Sequence, residues 1–519
     1  MKLNYKRTIF VGFAFFLICA FWQAYDNAIP LILTNKFGMS QTWSGLIMAL
    51  DNILALFLLP LFGAISDRHN GKRGKRTPFI TVGTIIAVVT FVALSFVDAA
   101  QLKEIDKVSA IDDVKTLEYI YDEQADETLM TPDGEKFVLK EQFTREEFSA
   151  IKCQTVNEAG KTVTTPEYTD YVTPARQACI HEISTGEPGM LILFIAVLLM
   201  VLLSMSVFRS PAVALMPDVT IKPLRSKANA VINLMGSAGG IVILGAGMLL
   251  KTSDVHNSMM SYVAYFGITA GIMLIALVIF RAKVNEPKLV EIMHEDSRKY
   301  GIEENDIDEE TGENRKLSRA ERRSLIFILA SIVFWFMGYN AVTSKYSVYA
   351  GNILNKDYNT TMMIAQVAAI AAYLPVGMVA SKFGRKRTIL AGVVMLCAAF
   401  GAAAFVNENS SIIVMYLLFA LAGIGWATIN VNSFPMVVEL CSGGDVGKYT
   451  GFYYTASMAA QVVTPMFSGF LMDKLGMTVL FPYAAVFTAL AFVTMLFVRH
   501  GDSKPEAKRG LEALDEMED

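Results

Sequence analysis

The sequence predicts an all-α membrane protein: twelve transmembrane helices in two pseudo-symmetric six-helix bundles, with an extracytoplasmic insertion between helices 3 and 4. Three observations carry this expectation. Of 519 residues, 53% are hydrophobic and only 18% charged, and the mean hydropathy is +0.42, above the usual range of a soluble domain. Twelve segments are long and apolar enough to cross a hydrocarbon core, which takes about 20 residues each. The two halves also echo one another in sequence.

The expected spans of the first half are residues 8–34, 42–66, 79–98, 189–208, 228–250 and 260–281. Those of the second half are 324–348, 361–380, 388–406, 411–436, 450–473 and 479–498. The N-terminal "MKLNYKRTIFVGFAFFLICAF" has a basic start and an apolar stretch, but no small-x-small cleavage signal follows, so it reads as helix 1. Domain limits follow: 1–281 for the first bundle, 282–323 for a linker, 324–498 for the second bundle and 499–519 for a tail.

Lys and Arg gather before helix 1, after helix 2, around 222–227, through 281–323 and at Lys382–Arg387. The positive-inside rule makes those segments and both termini cytoplasmic, in a plasma membrane. The net charge of -4 says little about partners, its distribution much more; no nucleic acid is expected, membrane lipid is the surrounding medium, and a monomer suffices for the fold. The acidic insertion, residues 99–188, has no span-length apolar run and belongs outside. Cys153 and Cys179 lie in it as candidates to pair, a link worth roughly 3–4 kcal/mol on chain entropy. Cys19 and Cys397 fall inside spans and Cys441 near a helix end, as small apolar fillers. The mixed charges of the linker predict a solvated segment with a short surface helix.

Helix 1 carries "AFWQAYDNAI" and helix 7 "VFWFMGYNAV", which align with a one-residue shift at Asp26. After helices 2 and 8, "GAISDRHNGKRGKR" is answered by "GMVASKFGRKR". Gly71 and Gly74 permit a tight reversal, and Pro78 suits the first turn of helix 3. Asp67 at the end of helix 2 can meet a helix N-terminus or a cation, a contact worth about 0.3–1 kcal/mol and up to about 2 when partly buried.

The Gly-x-x-Ser-Asp-Arg loop resembles the signature of the major facilitator superfamily. Its longer form, ending in "GKRTPFI", is similar to the plant sucrose-proton symporters with their bacterial relatives, and to the glycoside-pentoside-hexuronide cation symporters. "RSPAVALMPDVTIKPLRSKANAVINLMG" (209–236) and "GIGWATINVNSFP" (423–435) support the likeness. The resemblance implies a cytoplasmic latch made by Asp67, Arg68, Gly74, Lys75 and Arg76. Arg209, Asp218, Arg225 and Arg385 are expected as further gating residues, with Arg209, near the inner end of helix 4, closing that gate with Asp218 or Asp67. Neither coupling site of those families has a counterpart: helix 2 reads "LALFLLPLFG", and Leu202 stands where helix 4 would carry an aspartate.

Ionisable residues inside spans are costly and mark function. Asp26 and Asp51 come level, roughly 12–14 Å below the outer surface, and are the expected coupling carboxylates. Lys345 is expected to pair with one of them, to meet an acidic substrate group, or to snorkel. Sugars need flat aromatic faces and amides for their hydroxyls. Trp22, Tyr25, Trp335, Tyr339, Trp426 and Tyr453 offer the first; Asn27, Asn340, Gln366, Asn430 and Gln461 offer the second.

The expected function is therefore import of a sugar, a di- or oligosaccharide or glycoside, with a cation and no cofactor. The proton is the preferred cation and sodium the rival. An exporter of drugs or amphiphiles, and a transporter-like sugar sensor, stay open. No nucleophile elbow, zinc spacing or phosphate loop points to an enzyme.

Overall fold

The computed structural model describes residues 3–156, 162–221, 224–300, 318–438, 440 and 446–500. Among the described residues twelve long helices form the two bundles. Helices 1–6 are Tyr5–Phe37, Gln41–Arg68, Thr77–Glu104, Gly189–Asp218, Arg225–Leu249 and Val263–Lys283. Helices 7–12 are Arg319–Tyr349, Tyr358–Phe383, Arg385–Ala403, Ile412–Val438, Val446–Leu475 and Leu480–Leu496. Among the described residues ten of these helices have an apolar window long enough to cross a membrane on their own. Helices 8 and 11 complete the set at 26 and 30 residues.

Each bundle has its own core. One cluster joins Leu17, Phe21, Tyr25, Phe91, Leu198 and Phe266 of the first half; another joins Ile332, Trp335, Tyr346, Phe400 and Phe481 of the second. Prolines inside helices, such as Pro30, Pro60, Pro211 and Pro465, are tolerated where neighbouring helices and Ser/Thr side chains take up the freed carbonyls. Thr34 Oγ1 also bonds back along helix 1, donating to the Pro30 carbonyl at 2.9 Å.

Helix 2 packs against helix 11 and helix 5 against helix 8, two contacts that exchange under the internal twofold. The first is close because a Cβ on Gly45 would sit 2.0 Å from the Pro465 carbonyl oxygen, and one on Gly469 2.2 Å from that of Gln41; small residues are what let membrane helices approach.

The insertion is a small folded unit of short helices and two hairpins, Thr128–Met130 with Lys136–Val138 and Gln154–Val156 with Thr162–Thr164. Ile105, Leu117, Ile120, Phe148, Tyr168 and Ile180 fill its core. After helix 6 the chain forms a helix at Glu286–Lys299. It is not purely solvated: Leu289 and Met293 are buried, the latter with Ile221 and Leu224.

Candidate functional site

Helices 1, 2 and 4 bring three charged groups together midway along the first bundle. Asp26 and Asp51 act on one another's charge, and both act on Arg209. The Arg209 guanidinium lies 5.2 Å above the Trp22 ring, and Asn52 Nδ2 donates to Asp51 Oδ1 at 2.7 Å. Tyr25 is close to both carboxylates. Among the described residues the Trp22 indole N–H, the Tyr25 hydroxyl and the Asn340 amide N–H are buried without a hydrogen-bond partner.

The second bundle faces this cluster with a flat aromatic pair. Tyr339 and Trp426 stack at 3.7 Å with their planes 4° apart, and Tyr339 lies close enough to Asp26 to sense its charge. Tyr373 of helix 8 hydrogen-bonds the exposed Asn430. Asn27 Oδ1 accepts from Gln23 Nε2 at 3.1 Å, and Gln23 in turn accepts from Gln366 across the bundle interface. Two carboxylates, one guanidinium, an aromatic platform and spare N–H groups between two bundles can hold a hydroxylated ligand and exchange charge with it.

Arg209 departs from its expected place. Helix 4 runs on to Asp218 instead of stopping near 208, so Arg209 lies well inside it, beside the two aspartates. Asp67 and Asp218 belong to Arg76: its Nη2 pairs with Asp67, its Nε donates to Asp218 Oδ2 at 2.7 Å and its Nη1 to Ser66 Oγ at 2.5 Å. Burial opposes the Arg76 charge, but Asp218 and Asp67 outweigh it and hold its pKa above the usual value. Arg68 is exposed. Gly74 takes φ +98° and leaves room for Glu286, onto which a Cβ would collide. The Glu286 carboxylate accepts from the backbone N–H groups of Lys75, Arg76 and Thr77 at 2.7–2.9 Å, capping helix 3. Arg385 opens helix 9. The Arg225 side chain and Cys441 lie outside the described residues.

Lys345 neither snorkels nor meets Asp26 or Asp51. It is fully buried, donates to the Gln41 carbonyl at 2.7 Å and feels the charge of Asp473. Asp473 accepts from the N–H groups of Gln41 and Thr42, both at 2.7 Å, and from Thr42 Oγ1 at 2.5 Å. Helix 2 thus begins in the grip of helices 7 and 11. Thr252 and Tyr358 share a hydrogen bond at 2.8 Å, and Ser253 donates to Asp357 at 2.7 Å. Among the described residues the hydrogen bonds that join the bundles gather at the end carrying the insertion, apart from the Gln366–Gln23 bond at the central site.

Three other expected ligand groups are spent elsewhere. Trp335 is fully buried in the second core. Tyr453 is buried with its hydroxyl 3.1 Å from Ser433 Oγ, and Gln461 donates to the Ser457 carbonyl of its own helix at 3.3 Å. Cys153 and Cys179 are both free thiols, so the expected pair is not formed. Glu286, Asp473 and Tyr373 escaped the sequence reading; only the Asn-Glu-Pro helix start at 285–287 gave a signal for any of them, and it could not reveal a partner some 200 residues away.

A model of the MFS_1 like family matches residues 5–429, and one of the Major Facilitator Superfamily matches residues 353–515. An uncharacterized MFS-type transporter of Schizosaccharomyces pombe is 27% identical over 173 residues, 31% of this chain and 38% of that protein, so the chain spans well under half of that relative. Crystal structures of a D-xylose-proton symporter and of the nucleoside transporter NupG share the fold, with TM-scores of 0.57 and 0.55 at 14% and 12% identity. They cover 96% and 95% of this chain and 99% and 100% of their own. With one family model spanning most of its length and the same twelve-helix architecture, the chain is a multi-pass membrane protein belonging to the major facilitator superfamily of transporters.

Proposed function

We propose that this transporter imports a sugar, a di- or oligosaccharide or glycoside, together with a proton across the plasma membrane. The observation that carries the reading is the meeting of Asp26, Asp51 and Arg209 opposite the Tyr339–Trp426 stack. A stacked aromatic face suits the C–H surface of a pyranose. The unpartnered N–H groups of Trp22 and Asn340 suit its hydroxyl oxygens.

Charge arithmetic supports coupling. Two carboxylates facing one guanidinium leave one formal negative charge, which a proton cancels. Moving that cluster from one side's water to the other's is then cheaper with a proton bound than without one, which supports the proton as the coupled cation. Sodium would have to share Asn27 Oδ1 with the Gln23 N–H and Asp51 Oδ1 with the Asn52 N–H. The basic segments support a cytoplasmic location for the end with the termini, and on this reading the closed, insertion-bearing end faces outward.

Uptake of labelled mono- and disaccharides into proteoliposomes under a proton or a sodium gradient tests this. Proton-driven accumulation that Asp26→Asn or Asp51→Asn abolishes, with exchange at equal concentrations retained, supports it. Absence of sugar movement under either gradient overturns it and turns attention to export of amphiphiles.

A further inference from the structure

Residues 99–188 take no part in the central site, yet they touch both bundles. Their base is fixed to the first. Gln177 Nε2 donates to Asn35 Oδ1 at 3.1 Å, Gln154 Nε2 to Asp254 Oδ1 at 2.8 Å and Gln101 Nε2 to the Lys36 carbonyl at 2.8 Å. The unit is stiffened by the buried Arg176, which donates to the carbonyls of Val108 and Ala110 at 2.9 and 2.8 Å and to the Tyr168 hydroxyl at 2.9 Å.

From this base two projections reach the second bundle. The turn of the first hairpin meets the connection between helices 11 and 12, where the Met477 N–H donates to the Pro132 carbonyl at 2.6 Å. Backbone lies on backbone there: Gly134 and Gly476 take φ of +103° and +89°, and a Cβ on either would fall within 2.7 Å of the other's segment. The second projection, Tyr168–Val172, places Thr169 Oγ1 3.4 Å from Asn355 Oδ1, and Asn355 Nδ2 donates to Glu408 Oε2 at 3.1 Å.

We propose that the hairpin Thr128–Val138 and the turn Tyr168–Val172 form a strap that holds the two bundles together at the insertion end and must lift for that end to open. Among the described residues the contact is joined by one backbone and one side-chain hydrogen bond, with like charges across it. Asp170 faces Asp133, Glu135 and Glu167 of its own unit and Glu408 of the second bundle. Such a contact biases the closed form yet separates without exposing an apolar core. The insertion thereby belongs to the transport cycle as a restraint on its rate and its resting state. This does not depend on which solute is carried.

Spin labels at Leu249→Cys and Phe405→Cys, both 87% exposed at the insertion end of opposite bundles, report the separation in lipid nanodiscs. The background replaces the five native cysteines by alanine. Replacing Thr131–Glu135 by an Asn-Gly turn keeps the hairpin strands paired while removing the projection. The long-distance population is expected to rise about fivefold, the effect of losing one hydrogen bond. Asn355→Asp leaves the insertion intact, tolerates the positive φ of +51° and sets another anion against Glu408 and Asp170; the same rise is expected. An unchanged distance distribution in Asn355→Asp, or in a folded hairpin variant, overturns the proposal.

Discussion

The Lys36 ammonium lies 2.5 Å from the Asp98 carboxylate, and both side chains are completely buried. Lys36 also donates to the Met260 carbonyl at 2.7 Å and sits 4.7 Å above the Tyr262 ring, while the Tyr262 N–H donates to Asp98 Oδ2 at 2.9 Å. The pair ties helix 1, helix 3 and the start of helix 6 together. Breaking such a pair strands a charge, so Lys36→Met alone is expected to cost about 3–5 kcal/mol. Lys36→Met with Asp98→Leu recovers most of that cost. Thermal melts of the two single variants and the double variant measure it.

The central charges predict a different pattern from structural ones. Asp51→Asn leaves Asp26 and Arg209 as a neutral pair and removes the charge a proton would cancel. Accumulation driven by a proton gradient is expected to vanish while exchange persists. Arg209→Gln leaves two carboxylates without their cation and is expected to lower both by at least about tenfold, as loss of about 1.4 kcal/mol or more would. Parallel uptake and exchange assays separate the two behaviours.

Asp473 is expected to hold the insertion end shut. Asp473→Ala removes the acceptor of three donors on Gln41 and Thr42. Hydrogen bonds to a charged group are worth about 1.5–3 kcal/mol each, so even one lost in full raises the open population more than about tenfold. Ser347→Cys, 3% exposed and two residues beyond Lys345 near the end of helix 7, reports opening of that end by its rate of reaction with a membrane-impermeant maleimide.

The strap is expected to respond to pH. Burial, then the charges of Asp133, Glu408, Glu167 and Glu135, pushes Asp170 up to about 6. Lifting the strap removes Glu408 and part of the burial, returning Asp170 toward the ordinary value near 4. Docking therefore takes up a proton. The part of the docking free energy linked to that proton is fully present below about pH 4, is lost as pH rises, and contributes nothing above about 6, where the hydrogen bonds to Met477 and Asn355 still hold the strap. Between pH 5 and pH 7 the separated population is expected to grow, and Asp170→Asn should abolish that growth. Distance measurements across this range check both.

Burial pushes the thiols of Cys153 and Cys179 up to about 12 each. Both are expected to resist a thiol reagent at neutral pH in the folded protein and to react once it is denatured. Titration of thiols with and without denaturant counts them, and reductant should leave the gel mobility unchanged.

The membrane spans were legible because hydrocarbon is: every expected span falls on an observed helix. The level placement of Asp26 and Asp51 needed only a rise per residue. Arg209 was misread because "RSP" looks like the end of an apolar run, whereas helix 4 continues through Pro211 and Pro217. The echo between Trp22 and Trp335 misled in another way. Trp22 precedes Tyr25 by three residues and Trp335 precedes Tyr339 by four, so the two tryptophans stand about 100° apart on their helices relative to those tyrosines. One lies under Arg209 and the other fills a core. The partners of Lys345 and Glu286 were illegible because each is set by packing between segments far apart in the chain.

The cap that Glu286 places on helix 3 also bears on how the chain is made. Its oxygens serve N–H groups 209 to 211 residues earlier, so the start of helix 3 waits for its acceptor while helices 4, 5 and 6 are synthesised. At about 5–20 residues per second that interval is about 10–40 s. The first bundle thus becomes complete on the ribosome only when the linker begins to emerge, which gives that segment a part in biogenesis as well as in connecting the halves.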